Sequence, residues 1–540
     1  MQTQKIKSML LQIGKYALPI IVFCVVTACK NKNTYSESDQ KIADESTEEE
    51  LYRPNFHFTP KENWINDPNG MFFYNGYYHL YFQYHPEGNK WGPMHWGHAI
   101  STDMITWREQ PIALYPDELG YIFSGSAVVD VNNTSGFGKE GQSPVVAIYT
   151  SHDPQKAKNE RIDVETQSIA YSFDEGLTWN KYEVNPVIEN PNLRDFRDPK
   201  VIWDVDNNQW VLTLAAGQKT MFYTSNNLKE WNLASEFGDG LGNHEGVWEC
   251  PDLFPMQVED SDEIKWVHIV SIGSGGPNGG SATQYFVGDF DGQNFIVDPE
   301  FAMAMNKEHD FWVDFGKDNY AGVTWSNIPD SDGRRLFISW MSNWQYANEV
   351  PTEKWRGSMT IARELKLTKE DTYRLKVLPV REAQNYRTVK FKDESVHVAN
   401  STKLIDSKKI DLTKSEVNLE ISDVNGKSFS LILRNNKNEK LLFGYDASKK
   451  AFYIDRGQSG KVGFSEDFGD KTSWAPRISE EEKLTLKILL DKTSIELFFD
   501  EGRTVMTEIF FPSEPFNSLT IETENQDLML DSIEIHELKN

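Results

Sequence analysis

Short runs of apolar residues separated by turn residues dominate the chain from about His57 onward. The runs 77–84 and 210–214 are typical, and turn clusters such as 206–208 lie between them. Runs of this length, bounded by Asn, Asp and Gly, are typical of β-strands, and no long segment has the 3.6-residue period of an amphipathic helix. The pattern predicts an all-β protein.

A weak internal repeat divides the first part of this strand-rich region. Each copy has a serine, an acidic or amide residue two positions later, and then a tryptophan; the copies lie at 101–107, 172–179 and 225–231, with a degenerate fourth at 289–295. Each follows an apolar strand, which predicts a hairpin turn whose aromatic residue packs between sheets. A spacing of roughly 50 to 70 residues over about 300 residues predicts a five-bladed β-propeller. An irregular β-sandwich is the alternative.

The pattern changes after Leu365. Tryptophan nearly disappears, and the alternation of apolar and polar positions becomes cleaner, as at 428–433 and 494–499. We predict a propeller catalytic domain at 53–365 and a C-terminal β-sandwich at 366–540. Packing against the first domain is the favoured role of the sandwich, and gripping a polymer is the alternative.

The N-terminus has the pattern of a targeting segment. Three lysines precede an apolar run at 17–28 that is too short to span a membrane comfortably. The run ends in Val-Thr-Ala-Cys, which resembles a bacterial lipobox and predicts lipidation of Cys29. We therefore predict a lipoprotein signal peptide at 1–28 and a disordered acidic tether at 29–52. A plain signal peptide or a short anchor helix is the alternative.

Composition and charge narrow the classes of partner. The formal charge of −27 argues against nucleic acid and anionic membrane surfaces as partners, and it suits a neutral substrate. Outside the N-terminal segment Cys250 is the single cysteine, so no internal disulfide is predicted. No Cys/His cluster has metal-ligand spacing. We predict neither a metal nor a cofactor, and infer no protein partner; membrane contact is expected through the lipid anchor alone.

Three short acidic motifs carry the candidate chemistry: WINDPNG at 64–70, RDP at 197–199 and ECP at 249–251. Each places one carboxylate beside a proline in a region dense with aromatic residues and glycines. Cleavage of a sugar–sugar bond needs one carboxyl group as proton donor and another as nucleophile or base. The motifs therefore predict a glycosidase active site with a third acid that needs its own role.

The surroundings of each acid suggest that role. Asp67, beside a proline that fixes the local backbone, is a candidate nucleophile. Glu249 follows apolar residues, so partial desolvation is expected to favour its protonated form, as a general acid requires. Asp198 follows Arg197, so we expect it to stay ionised and to hold substrate hydroxyl groups. The structural alternatives are a turn for Asp67, a buried arginine pair for Glu249, and a surface salt bridge for Asp198, which suits Asp195 better.

These motifs, in this order and spacing, resemble those of glycoside hydrolase family 32, the fructan hydrolases and invertases. Further strings carry the same resemblance: FQY at 82–84, WG at 91–92, HWGH at 95–98, FSGS at 123–126, DFGKD at 314–318, YA at 320–321, WMSNW at 340–344 and DKTSIELFF at 491–499. The resemblance extends from about His57 to the end of the chain.

The resemblance implies a five-bladed propeller joined to a β-sandwich, and retaining cleavage of β-fructofuranosides. It assigns Asp67 as nucleophile, Glu249 as acid/base and Asp198 as the residue that stabilises the transition state. The residues implied to bind the fructosyl unit are Trp64, Asn66, Gln83, Trp91, Phe123, Ser124, Arg197, Tyr320 and Trp344. The expected partner is a fructan polysaccharide or oligosaccharide.

Several readings stay open at this point. A sialidase is one rival, because 172–179 resembles the hairpin of that family, but no arginine cluster for a carboxylated sugar is evident. A surface glycan-binding lipoprotein without catalysis is another, and retention of all three acids argues against it. Levan, inulin and sucrose present the same fructosyl unit, so the substrate and the choice between endo and exo action are unresolved. A bacterial outer-membrane or cell-surface location is expected, with periplasm-facing attachment as the alternative.

Overall fold

A computed structural model describes residues 50–139, 141–406 and 410–539. The predicted signal peptide, Cys29 and nearly all of the predicted tether lie outside these ranges. Within them the regular secondary structure is almost entirely β-strand. Neither of its two α-helices, Pro154–Lys158 and Pro299–Lys307, has the length and apolar character needed to cross a membrane.

The described residues up to Pro379 form five sheets arranged as the blades of a propeller. The first blade contains β1 (Asn63–Tyr74), β2 (Tyr77–His85), β3 (His95–Ser101) and β4 (Arg108–Leu114). The second contains β5 (Tyr121–Val129), β6 (Val145–His152), β7 (Glu165–Ser172) and β8 (Asn180–Lys181), and the third β9 (Phe196–Asp204), β10 (Gln209–Ala216), β11 (Thr220–Ser225) and β12 (Asn232–Phe237). The fourth contains β13 (Trp248–Gln257), β14 (Ile264–Ile272), β15 (Ala282–Phe290) and β16 (Phe295–Val297). The fifth contains β17 (Tyr320–Thr324), β18 (Arg335–Trp340), β20 (Arg363–Lys369) and β21 (Tyr373–Pro379), while the short β19 (Trp355–Arg356) pairs in parallel with β1.

The first strand of each blade faces the propeller axis. β1, β5, β9, β13 and β17 contact one another in a closed ring, in that order, while the later strands of each blade lie further out. The ring is where the three acidic motifs lie, since Asp67 belongs to β1, Asp198 to β9 and Glu249 to β13. The prediction of a five-bladed propeller with Asp67 on an inner strand is confirmed.

The sequence repeat marks the same hairpin in four blades. The copies at 101–107, 172–179, 225–231 and 289–295 each connect the third strand of a blade to the fourth. In the first and third copies the serine hydroxyl accepts hydrogen bonds from backbone amides of the turn, for example from Met104 at 2.8 Å and Leu228 at 2.9 Å. The aromatic residue then packs inward: Trp179 of the second blade meets Tyr81 of the first with ring centroids 5.8 Å apart. The hairpin prediction is confirmed.

The remaining strands form a β-sandwich. They are β22 (Arg387–Asp406), β23 (Lys414–Ile421), β24 (Phe429–Arg434), β25 (Lys440–Asp446), β26 (Ala451–Gln458), β27 (Ser473–Pro476), β28 (Leu484–Asp491), β29 (Ser494–Phe499), β30 (Thr504–Ile509) and β31 (Ser518–Leu538). The long β31 pairs first with β24 and later with β23, so it belongs to both layers. Phe452 of β26 stacks on Phe499 of β29 with centroids 3.7 Å apart, which packs one layer on the other.

The boundary between the two domains lies further along the chain than the sequence analysis placed it. β20 and β21 complete the fifth blade, so the propeller ends at Pro379 and not at residue 365. The change of composition after Leu365 begins within β20 and β21, the outer strands of the last blade, whose alternating sequence is similar to that of the sandwich strands.

A buried ionic network joins the propeller to the sandwich. Arg363 of β20 donates to Asp314 Oδ2 at 2.8 Å and to Glu496 Oε2 at 2.5 Å, and all three side chains are fully buried. His57 lies between Asp491 Oδ2 at 2.9 Å and Glu496 Oε1 at 2.7 Å. The network therefore fixes the sandwich against the catalytic domain, which agrees with the packing role favoured for the sandwich.

Candidate active site

A cavity of about 460 Å³ opens at one end of the propeller axis. Its wall is formed by the three predicted acids and a ring of aromatic, amide and charged residues: Asn66, Asp67, Gln83, Trp91, Phe123, Ser124, His152, Glu165, Asp195, Arg197, Asp198, Glu249, Trp344 and Asn348. The structure thus brings together three motifs that are far apart in sequence, at 64–70, 197–199 and 249–251.

Irregularities in the inner strands place the side chains. Each of the five inner strands departs from regular pairing at its motif: between Ile65 and Pro68, between Ile122 and Gly125, near Asp198, between Glu249 and Asp252, and between Tyr320 and Val323. Asp198, Cys250 and Ala321 have left-handed φ values of 65°, 46° and 54°. A bulge changes the direction in which a side chain leaves the strand. Here the bulges turn one residue of each strand toward the axis, at some cost in backbone strain.

Asp67 is held by donors on both carboxylate oxygens. Asn66 Nδ2 donates to Oδ1 at 3.0 Å, and Ser124 Oγ donates to Oδ2 at 2.7 Å. Burial, and after it the nearby Glu249 carboxylate, raises the pKa of Asp67, while the hydrogen bonds from Ser124 and Asn66 oppose that rise. Gly70 ends the motif with φ +57°, and a Cβ there would lie 2.6 Å from the ring of Trp96. The motif is therefore fixed at both ends, as a nucleophile requires.

Glu249 lies between an arginine and a tyrosine. Arg197 donates to Glu249 Oε1 through Nε at 3.1 Å and Nη2 at 2.9 Å, and the Tyr320 hydroxyl donates to Oε2. The Glu249 side chain is 20% exposed, so it is partly desolvated as expected, but its carboxylate has polar partners while its neighbour Trp248 packs into the core. The arginine pair raised as the structural alternative is present, inside the cavity. Both oxygens of the acid are oriented by donors.

Asp198 does not have the environment that its neighbour in sequence predicted. The Arg197 guanidinium turns away from it, toward Glu249, Glu165 and Asp195. Burial, with the Glu249 and Asp67 carboxylates, outweighs the attraction of Arg197 and raises the pKa of Asp198 to about 8. Arg197 favours the ionised form of Asp198, as expected, but its hydrogen bonds go to other carboxylates and burial has the larger effect on the pKa of Asp198.

Cys250 lies between two of the acids. Its backbone amide donates to Asp198 Oδ2 at 3.0 Å, and its Sγ is 3.6 Å from both Asp198 Oδ2 and Asp67 Oδ2. Burial and the surrounding carboxylates raise the pKa of the thiol well above its usual range. The side chain is therefore a neutral spacer and weak donor between two carboxylates that would otherwise repel each other.

The predicted binding residues divide into two layers. Those that line the cavity are Asn66, Gln83, Trp91, Phe123, Ser124, Arg197 and Trp344. Trp64 and Tyr320 are not on the wall, because they are fully buried beneath it. Trp64 Nε1 donates to Asn66 Oδ1 at 2.7 Å, and Tyr320 donates to Glu249. Trp64 and Tyr320 therefore orient wall residues through hydrogen bonds and do not form part of the wall themselves.

Four wall residues escaped the sequence analysis: His152, Glu165, Asp195 and Asn348. Asp195 was assigned to a surface salt bridge; its partner is Arg197 at 2.8 Å, on the cavity wall. His152 and Glu165 belong to no sequence motif. They become neighbours because β6 and β7 pair antiparallel. Only the placement of the hairpin could have identified them.

No group of three or more His, Cys, Asp or Glu side chains among the described residues has the arrangement of a metal site.

Comparison with known proteins agrees with this arrangement. The glycosyl hydrolases family 32 N-terminal domain matches residues 57–379, and the family's C-terminal domain matches residues 382–537. The chain belongs to glycosyl hydrolase family 32. It is 46% identical over 502 residues to a levanase of Bacillus subtilis, which covers 92% of this chain and 72% of that protein. It is 40% identical over 492 residues to an extracellular exo-inulinase of Aspergillus awamori, covering 86% of this chain and 90% of the relative.

Solved structures of the family have the same fold. The exo-inulinase of Aspergillus awamori superposes with a TM-score of 0.82 at 34% identity and covers 92% of this chain and 100% of its own. A β-fructofuranosidase of Schwanniomyces occidentalis, complexed with fructosyl-erythritol, superposes with a TM-score of 0.78 at 36% identity, covering 91% and 98%. The chain is therefore a glycoside hydrolase with β-fructofuranosidase activity, on the propeller-plus-sandwich fold of the family.

Proposed function

We propose that this enzyme hydrolyses fructan with retention of configuration, through a covalent fructosyl-enzyme intermediate. The observation that carries the proposal is the convergence of Asp67, Asp198 and Glu249 in one cavity, each from a different inner strand. Retaining glycosidases need a nucleophilic carboxylate and a second carboxyl group that serves first as acid and then as base.

The geometry assigns a separate task to each acid. Asp67, hydrogen-bonded on both oxygens, attacks the anomeric carbon of the terminal fructosyl unit. Glu249, oriented by Arg197 and Tyr320, protonates the leaving oxygen and then activates the water that releases fructose. Asp198, whose pKa of about 8 keeps a proton in the cavity at neutral pH, hydrogen-bonds the fructosyl hydroxyl groups as the ring distorts.

The shape of the cavity favours attack on chain ends. Five strands and their bulges surround the acids on all sides of the axis, and the volume of about 460 Å³ is that of a small-molecule site. A polymer can present its end to such a cavity, whereas an internal bond would need an open groove. The relatives described as exo-inulinases, at about 40% identity, support exo action, and the levanase at 46% identity supports levan as the polymer.

Product analysis tests this proposal. Purified enzyme is incubated with levan, inulin and sucrose, and the products are separated by size over time. Fructose as the sole early product from levan is the expected result. A ladder of oligosaccharides would contradict exo action, and a kcat/KM for sucrose well above those for both polymers would favour the alternative of a sucrose or short-oligosaccharide invertase. Absence of any fructose release would favour a non-catalytic fructan-binding lipoprotein.

We also propose that the enzyme is anchored by a lipid on Cys29 to a bacterial membrane, at the outer membrane or cell surface. The lipobox-like sequence at 26–29 supports this, and the segment lies outside the described residues. Metabolic labelling with a palmitate analogue tests it. Label that is lost in Cys29→Ala, together with release of the enzyme from the membrane fraction, is the expected result. Equal labelling of both forms would contradict it.

A further inference from the structure

The Arg197 guanidinium, which orients the proposed acid/base, is itself fixed from behind. Its Nε and Nη2 face Glu249, while Nη1 is 2.8 Å from Asp195 Oδ1 and 3.2 Å from Glu165 Oε1. An arginine fork has a rigid, planar geometry, so holding one side fixes the direction of the other. The position of Arg197 relative to Glu249 therefore depends on the two acids behind it.

Glu165 contacts two other groups of this region in addition to the Arg197 guanidinium. Its Oε2 accepts the backbone N–H of Phe196 at 2.7 Å, and its Oε1 lies 3.3 Å from His152 Nδ1. Arg197, and after it His152, lowers the pKa of Glu165 against the effect of burial, so the carboxylate is ionised at neutral pH. The side chain of Glu165 is 6% exposed, whereas that of Asp195 is 26% exposed. Of the two acids, Glu165 is the better shielded from water and the stronger constraint.

His152 connects this group to the space that the substrate occupies. Its ring stacks on Phe123 with centroids 4.2 Å apart, and both residues line the cavity. The contacts thus run in series from the cavity wall through His152, Glu165 and Arg197 to the carboxylate of Glu249.

We propose that Glu165 is a positioning residue for acid catalysis: it fixes Arg197, and through Arg197 the carboxylate of Glu249 that protonates the leaving group. This inference rests on the proposed role of Glu249. The role of Glu165 differs from that of Asp67, because Glu165 makes no contact with the nucleophile. Loss of the Glu165 charge should therefore impair protonation of the leaving oxygen and leave nucleophilic attack intact.

Two substrates with different leaving groups test the proposal. Sucrose has an alcohol leaving group that must be protonated, whereas β-fructofuranosyl fluoride releases fluoride without that proton. In both cases kcat/KM reports the steps up to departure of the leaving group. We expect Glu165→Gln, which keeps the size of the side chain, to lower kcat/KM for sucrose by about 10- to 100-fold, part of the usual contribution of general acid catalysis. The value for the fluoride should fall by less than about threefold.

The ratio of the two kcat/KM values is the readout that a merely structural role would not move, because a general loss of structure would lower both values together. Asp195→Asn should show the same changes to a smaller extent, because Asp195 is more exposed to water.

Controls separate the possible failures. Glu183→Gln, an exposed glutamate of the same blade, should match the wild type in both substrates and in melting temperature. Glu249→Gln should lose far more activity on sucrose than on the fluoride; an equal loss on both would overturn the proposed role of Glu249 itself. If Glu249→Gln discriminates but Glu165→Gln loses activity equally on both substrates, or loses none, the positioning role is overturned and the proposed function stands.

Discussion

The catalytic cavity and the network between the domains are built from the same residue types, yet their pKa shifts have opposite effects. Those at the interface favour the charged forms, and those in the cavity favour the neutral forms. At the interface, burial raises the pKa of Glu496, but Arg363 and His57 lower it to about 2. Burial lowers the pKa of His57, but the hydrogen bonds that its ring donates to the Asp491 and Glu496 carboxylates raise it to about 9. In the cavity the pKa of Asp67 is raised and that of Asp198 is about 8.

Charge balance explains the difference. At the interface each carboxylate has a cation within hydrogen-bond distance, so the ionised forms stabilise one another. Five carboxylates line the cavity, those of Asp67, Glu165, Asp195, Asp198 and Glu249. The guanidinium of Arg197 pairs with three of them, Glu165, Asp195 and Glu249. The first arrangement stabilises the fold. The second stores electrostatic repulsion that a bound fructosyl unit and its developing positive charge relieve.

The largest expected effect comes from removing the nucleophile. Asp67→Asn should lower kcat on levan or sucrose by at least about 10⁴-fold, because the amide cannot form the covalent intermediate. The melting temperature should stay the same or rise, since one of several mutually repelling carboxylates is gone. Steady-state assays and thermal unfolding check both. A variant that unfolds would show that Asp67 is structural, and a folded variant that keeps substantial activity would show that Asp67 is not the nucleophile.

The corresponding change at the interface should have the opposite profile. Glu496→Gln leaves Arg363 and His57 without their shared anion, and breaking a buried pair in this way costs about 3–5 kcal/mol of unfolding free energy. At temperatures where the variant is folded, kcat should be unchanged, because the network does not reach the cavity. Denaturant unfolding with the exposed Glu480→Gln as control tests this. A loss of stability no larger than that of the control would show that the network contributes little.

The pH dependence of stability gives a smaller and more specific contrast. The pKa of His57 is raised to about 9, so its contribution is complete below its ordinary value of 6.5 and is lost as the pH rises through 9. Asp198, raised to about 8 from 3.8, instead imposes a penalty on folding that grows between those two values. Asp198→Asn removes that penalty. Its melting temperature should exceed that of the wild type by more at about pH 8 than at about pH 4. A difference independent of pH would mean that Asp198 is ionised in the folded enzyme.

The same contrast shows what the sequence could predict. The hairpin repeat and the acidic motifs are local signals. The repeat predicted the propeller correctly, and the three acids of the motifs meet in one cavity, while their roles stay a prediction. The direction of the Arg197 side chain was not local: adjacency to Asp198 suggested a pair, but successive side chains of a strand point to opposite faces. The bulge and the left-handed φ of Asp198 decide where each side chain points.

The depth of burial, like the direction of the Arg197 side chain, could not be predicted from the sequence. Trp64 and Tyr320 belong to motifs next to wall residues, yet each lies one layer deeper and acts through a hydrogen bond. Glu165 carries no motif and meets Arg197 only because the second and third blades are adjacent. The domain boundary at Pro379 was missed for a related reason, since an outer blade strand and a sandwich strand have the same alternation.

Trapping the intermediate tests the central claim most directly. Glu249→Gln is mixed with β-fructofuranosyl fluoride, which can form the fructosyl-enzyme without an acid, while loss of the base slows its hydrolysis. Intact-protein mass spectrometry followed by peptide mapping then locates any adduct. We expect a mass increase of one fructosyl unit, carried by the peptide that contains Asp67 and absent in the double variant with Asp67→Asn. An adduct on Asp198, or turnover of the fluoride by the double variant at an undiminished rate, would contradict the account.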